Sequence, residues 1–183
     1  MSVPLNVSFA GGATGRWEID RIEAVVGESL PAAERLALLE RTSTVPTGSV
    51  WCLRGVASHE RYVTREEHEA LVAQQPELGR AEATRAALIP IRKTAAWWGL
   101  AQDERRRIFE ERSRHISIGL EYLPAVARRL HHCRDLGEPF DFLTWFEYAQ
   151  ADADAFEELV QRLRQTEEWA YVEREVDVRV SRR

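Results

Sequence analysis

The chain has 183 residues, with 25 Lys and Arg against 30 Asp and Glu, a formal charge of −5. At 44% hydrophobic and 30% charged residues, it has the composition of a globular domain and not of a disordered or fibrous chain. The acidic balance argues against a phosphate-backbone binder, the two cysteines (Cys52 and Cys133) are too few for a disulfide framework, and no run approaches the ~18 apolar residues of a membrane-spanning helix.

The opening MSVPLNVSFAGGATG lacks the basic start and continuous apolar run of a secretory signal, so a cytoplasmic location is expected. Leu5 to Phe9 is a brief apolar segment, and Gly11-Gly12-Ala13-Thr14-Gly15 reads as a flexible loop. Arg16–Val26 alternates as a strand. Ser29-Leu30-Pro31 reads as a helix start, with Ala33, Leu36 and Leu39 forming an apolar face. Ser49–Ser58 is rich in strand formers. Thr64-Arg65-Glu66-Glu67 is a capping-box pattern and predicts a short helix carrying Leu71 and Val72 inward.

Ala86–Thr94 reads as a strand whose Pro90 predicts an edge or a bulge. Asp103 suits the cap of a helix carrying Ile108 and Phe109, and Pro124 the first turn of another with Val126 and Leu130 on one side. Phe140–Tyr148 is a strand with Phe140, Phe142, Phe146 and Tyr148 on one face and Leu143 and Trp145 on the other. Asp152-Ala153-Asp154 suits a helix N-cap, and Phe156, Leu159, Val160 and Leu163 form one helical stripe. Val172, Val176, Val178 and Val180 then alternate with Glu173, Glu175, Asp177 and Arg179, a half-buried strand. Polar outer faces favour an antiparallel α+β sheet over a parallel one, and the element order suits a ferredoxin-like arrangement.

The common nucleotide, hydrolase and zincin signatures are missing from the sequence. His131-His132-Cys133 looks like a metal cluster, but neighbours on a helix point ~100° apart and do not converge on one ion. His115 lies seven residues after Ile108, on the same side of a helix that continues that far. Trp97-Trp98 follow Lys93, and Arg128 and Arg129 lie in the basic, apolar segment Leu123–His132. Aromatic walls, cations for carboxylates and a nitrogen ligand are what a large flat apolar group with acidic edges requires, and haem is such a group.

The stretches HISIGLEYLP (115–124), ARRL (127–130) and RDLGEPFDFLTWFE (134–147) resemble the central block of chlorite dismutases. The likeness runs from about Ala86 to Arg183, and the short length resembles the dimeric lineage. The resemblance implies an α+β fold of ferredoxin-like antiparallel sheets with helices on the outer face, a dimeric α+β barrel. It also implies a truncated N-terminal half over 1–84 and a haem-binding half over 85–183, together one compact unit. It implies one haem b per subunit, a homodimer, and conversion of chlorite to chloride and dioxygen, with no nucleic-acid or membrane partner.

Residue by residue, His115 falls on the axial iron ligand and Arg128 on the distal arginine, with Arg129 as the neighbouring alternative. Glu168, or the adjacent Glu167, falls on the carboxylate that bonds the ligand histidine. Lys93 and Trp97 match the haem edge, Tyr62 is within reach of a propionate, and Gln74 or Gln75 matches a glutamine at the distal entrance. Ile89, four positions before Lys93, stands where the related coprohaem decarboxylases carry a reactive tyrosine. Those decarboxylases and a non-enzymatic haem carrier or sensor are the competing readings.

Overall fold

In the computed structural model, residues 5–41, 44–57 and 62–182 are described. Eight strands are seen among them: β1 (Leu5–Gly12), β2 (Trp17–Val26), β3 (Arg35–Glu40), β4 (Ser49–Ala57), β5 (Arg85–Lys93), β6 (Ala127–His132), β7 (Phe142–Tyr148) and β8 (Val172–Ser181). They close an antiparallel barrel in the order β1-β3-β2-β8-β5-β7-β6-β4. The helices are α1 (Arg65–Gln74), α2 (Ala95–Gly99), α3 (Gln102–Arg106), α4 (His115–Glu121) and α5 (Ala153–Arg164). The fold is α+β, and the barrel is completed within one chain.

The period-2 pattern of the strands divides the apolar residues between two layers. Phe9, Trp17, Leu36, Leu53, Leu88, Leu143, Trp145 and Val178 point inward and fill the barrel. Ala87, Ile89, Ile91, Phe146 and Tyr148 point outward, against α4 and α5, whose Ile118, Phe156, Leu159, Val160 and Leu163 cover them. β5 and β7 are thus buried on both faces, which accounts for the near-continuous apolar run in β5. Thr64 closes the expected capping box on α1, receiving Glu67 N while Glu67 receives Thr64 N.

Four expectations are corrected. Leu36 and Leu39 lie on a strand, β3, and not on a helix: Leu36 faces the barrel core and pairs with Trp17 across β2 and with Gly11 across β1. Pro90 does not make β5 an edge, because β5 pairs with both β7 and β8; the ladder to β8 has pairs at Leu88 and Ile91 with none between, and the register shift falls later, between Arg92 and Lys93. α3 starts from Ala101, whose N–H is taken by Glu104, and Asp103 lies in its first turn. The helix expected after Pro124 is strand β6, paired with β7 from Ala127 to His132. In β3 and β6 cross-strand pairing overrides a local helical pattern.

β8 also differs from a half-buried strand. Glu175, Asp177 and Arg179 on its outer face are all buried beneath α5: Arg164 pairs with Glu175 and Asp177, and Asp177 with Arg179. Asp152 is the N-cap residue of α5 but makes no side-chain cap bond. Phe140 precedes β7 and packs with the Leu143 and Trp145 layer, not with Phe146. Ser58, the last residue of the strand expected over Ser49–Ser58, lies outside the described residues.

Candidate active site

The helix expected to run from Ile108 to His115 does not persist. After α3 the chain widens into a π-helical segment, Arg107–Arg112, with Ser113 N bonding Ile108 O at 3.1 Å. Arg114 then adopts a left-handed conformation, φ 53°, and α4 starts afresh at His115. Arg114 makes no side-chain cap bond. Glu110, buried in the preceding turn, takes that role: Oε2 accepts Ile116 N at 2.6 Å and Oε1 accepts Ser117 N at 3.2 Å and the Ser117 hydroxyl. A carboxylate at this end also matches the helix dipole. His115 therefore sits at the first position of a helix whose start is fixed by a buried anion.

The His115 ring bonds Glu168 Oε2 through Nδ1 at 2.7 Å. Glu168 Oε1 accepts Lys93 Nζ at 2.6 Å, and its backbone N–H donates to Ser113 Oγ at 2.9 Å. Glu168 is 3% exposed and Lys93 4%. Burial pushes the Glu168 carboxyl up, but the attraction of His115 and Lys93 outweighs this and holds it down to about 2. Glu167, next to it, is exposed and paired with Arg112. A carboxylate on Nδ1 fixes the tautomer in which Nδ1 carries the proton and Nε2 offers its lone pair.

Aromatic rings line this pair. Phe109 stacks on His115 at 4.3 Å and 22°, and Trp169 lies nearly parallel to it at 6.4 Å and 17°. Tyr62 meets Phe109 at 5.7 Å and Trp97 at 6.3 Å, and its hydroxyl accepts from Arg105 at 3.3 Å. Lys93 Nζ lies 4.7 Å from the Trp97 ring, which is held by the Thr94 cap of α2. Trp97 Nε1 is buried and has no hydrogen-bond partner among the described residues. Ile89, on the same strand as Lys93, is buried in the outer layer.

The register of β6 separates the two arginines. Arg128 pairs with Phe146, whose side chain belongs to the helix-covered outer layer, and Arg129 pairs with Trp145, whose side chain fills the barrel. Arg129 accordingly bonds His131 Nε2 at 3.1 Å and Glu40 at 2.5 Å. Arg128 reaches α4: a β-carbon on Gly119 would lie 1.9 Å from its Nη1. Gly119 is one turn beyond His115, on the same helical face. Gln75 donates its side-chain amide to the Arg128 carbonyl, whereas Gln74 is exposed.

His115, Glu168, Lys93, Trp97, Tyr62, Arg128 and Gln75 thus form one connected neighbourhood. Glu110, Phe109, Gly119 and Trp169 belong to it and were not assigned there from the sequence. The Glu-rich run around Glu110 reads as a solvated face, and only the π-helical turn brings it under α4. These residues fit haem. His115 offers Nε2, and the orphaned Trp97 N–H suits a carboxylate acceptor.

A sequence profile of the family described as Chlorite dismutase matches residues 29–183. The chain belongs to the chlorite dismutase family. The structure of a dimeric chlorite dismutase from Nitrobacter winogradskyi is 60% identical, covers 97% of this chain and 99% of its own, and superposes with a TM-score of 0.90. The chlorite dismutase of Ideonella dechloratans is 35% identical over 86 residues, which is 47% of this chain and 28% of that longer protein. A chlorite dismutase structure from Candidatus Nitrospira defluvii, in complex with imidazole, covers 97% of this chain and 91% of its own at 21% identity and a TM-score of 0.66, a likeness of fold. The eight-stranded barrel with outer helices is therefore a chlorite dismutase fold in its short form.

Proposed function

We propose that this chain decomposes chlorite to chloride and dioxygen as a homodimer holding one haem b in each subunit through His115. The observation that carries the reading is the buried Lys93–Glu168–His115 chain on a helix that faces Arg128. Bound there, haem would supply the iron redox chemistry that removes an oxygen atom from chlorite and returns it to make dioxygen.

The chain's own residues do the rest. Glu168 keeps the proton on Nδ1 and makes Nε2 a stronger donor, the usual effect of an outer carboxylate on a ligating imidazole. Lys93 holds Glu168 ionised, so the proton stays on the imidazole. Arg128 keeps its charge at any working pH and presents a planar fork of donors, suited to a small oxyanion and to retaining the charged fragment until it recombines. Gln75 ties down the backbone from which Arg128 projects. Trp97 N–H is placed to receive a propionate. The dimer follows the Nitrobacter winogradskyi structure, described as dimeric at 60% identity.

Coprohaem decarboxylation is disfavoured at Ile89, which has no phenol to offer. Purified haem-loaded protein is mixed with chlorite at an oxygen electrode while its spectrum is followed. Dioxygen release with one chloride per chlorite is expected. A ferric haem spectrum without dioxygen would favour a carrier or sensor, and failure to retain haem would overturn the site.

A further inference from the structure

The turn that carries Glu168 continues directly into Trp169, whose indole Nε1 donates to Glu175 Oε2 at 2.7 Å. Glu175 lies on the outer face of β8 and is 0% exposed. Its second oxygen receives Arg164 at 2.8 Å from Nε and 2.6 Å from Nη2. Arg164 also bonds Asp177 at 2.9 Å, and Asp177 is paired in turn with Arg179. The indole held in this way lies nearly parallel to the His115 ring at 6.4 Å and has Lys93 Nζ 5.5 Å from its centroid. Trp169 therefore faces both partners of Glu168 and is covalently next to Glu168 itself.

A buried carboxylate is costly to desolvate, and a well-packed apolar side chain at the same place is often as stable or more so. Neighbouring outward positions on the sheet are filled with Ile89 and Ile91. What an apolar residue at 175 lacks is an acceptor for the indole N–H. We propose that Glu175 is a positioning residue for the ligand histidine: by holding Trp169 Nε1, it fixes the indole against His115 and Lys93 and so sets the Glu168–His115 geometry. The consequence at iron rests on the haem reading above; the positioning itself does not.

Two substitutions separate positioning from plain stability. Glu175→Gln keeps the shape but has one oxygen where two accept, so its NH2 group is set against either the indole N–H or Arg164. Trp169→Phe keeps a ring but loses the N–H, and leaves the Arg164–Glu175 pair in place. Asp177→Asn is the control, since it loosens the same ionic cluster without touching Trp169. In the haem-free full chain, NMR follows the His115 Nδ1 proton, shifted by its bond to Glu168. In the loaded protein, resonance Raman reads the iron–histidine stretch, and transfer to a haem-scavenging globin reads the rate of haem loss.

Glu175→Gln and Trp169→Phe are expected to move or broaden the Nδ1 proton signal, shift the iron–histidine stretch and speed haem loss about tenfold, the scale of a weakened outer partner. Asp177→Asn is expected to lower the melting temperature and leave all three unchanged. The proposal is overturned if the first two variants only melt earlier, as Asp177→Asn does, with the Nδ1 signal as in wild type. Should wild type take up no haem, the functional reading falls, while the haem-free NMR comparison still decides the role of Glu175. If Glu175→Gln fails to fold, Trp169→Phe alone decides it by the same signals.

Discussion

Arg128 and Gly119 share one space: the guanidinium lies where a β-carbon on the glycine would be, 1.9 Å from Nη1. The obstruction meets the far end of a flexible side chain, not backbone, so the arginine can move aside. Gly119→Ala should therefore fold well and gain up to about 1 kcal/mol, since Ala is the better helix former in α4. It should nonetheless lose chlorite turnover, because the guanidinium is displaced. Denaturant melts and oxygen-electrode rates on the same sample test this. Wild-type turnover in a stabilised Gly119→Ala would show that the contact is incidental.

The two arginines of β6 should behave differently. Arg128→Ala is expected to keep haem and most of its stability, lose dioxygen release, and bleach faster in chlorite. Arg129→Ala breaks the bond to buried His131 and the exposed pair with Glu40, and should show up mainly in stability. Rates, bleaching and melting temperatures for both variants check the assignment. Loss of turnover in Arg129→Ala alone would reverse it.

Glu168→Gln leaves Lys93 buried against an uncharged amide. Haem affinity should fall by roughly 10–100-fold, as when other outer partners of a ligating histidine are lost. The wild-type pH profile follows from the same group. Its carboxyl is held below its ordinary value, so its contribution is fully present above about 4.5 and fades as pH falls through about 2. Denaturant melts of the haem-free chain should show stability falling as pH drops from about 4.5 toward 2, with a flatter slope in Glu168→Gln.

His131 gives the opposite kind of dependence. It is buried, with Nδ1 on the Leu143 carbonyl at 2.9 Å and Nε2 receiving Arg129. Burial, aided by Arg129, lowers its pKa from 6.5 to about 4, although the Leu143 bond acts the other way. The folded state thus disfavours the proton that the unfolded chain binds, and stability should fall as pH drops from about 6.5 to 4. The full loss is on the order of 3 kcal/mol. Denaturant melts across that range should show the slope in wild type and a flatter one in His131→Asn. Equal slopes would exclude His131 as the source.

The helical stripe of α5 and the alternation of β7 and β8 were legible because each carries its period over many residues. β3 and β6 were not. Leu36 and Leu39 are spaced for a helix, and Pro124 suits a helix start, yet both segments are taken into the barrel by neighbouring strands that no local pattern reveals. The site divides in the same way. His115, Arg128 and Glu168 are named by the resemblance to a family, and the structure joins His115 to Glu168 and brings Arg128 to α4. Glu110 and Glu175 were not legible, because charged residues in a Glu-rich turn or on the polar side of a strand read as facing water. One is folded under α4 and the other covered by α5 and the Trp169 turn.

The barrel is rolled shut by a clasp. β2 and β8 join its halves along a ladder from Glu18 to Val26, whereas among the described residues β4 meets β6 at the pair Val56 and His132. At that clasp Gly55 admits the His131 side chain, which a β-carbon would meet at 2.7 Å. His115, Glu168, Lys93 and Arg128 all belong to residues 93–168, and β1 to β4 contribute none of them. The first four strands close the barrel that carries these side chains without supplying any of them. A change in those strands is therefore felt at the site at second hand, through the barrel core in which Phe9 and Trp17 pack against Trp145.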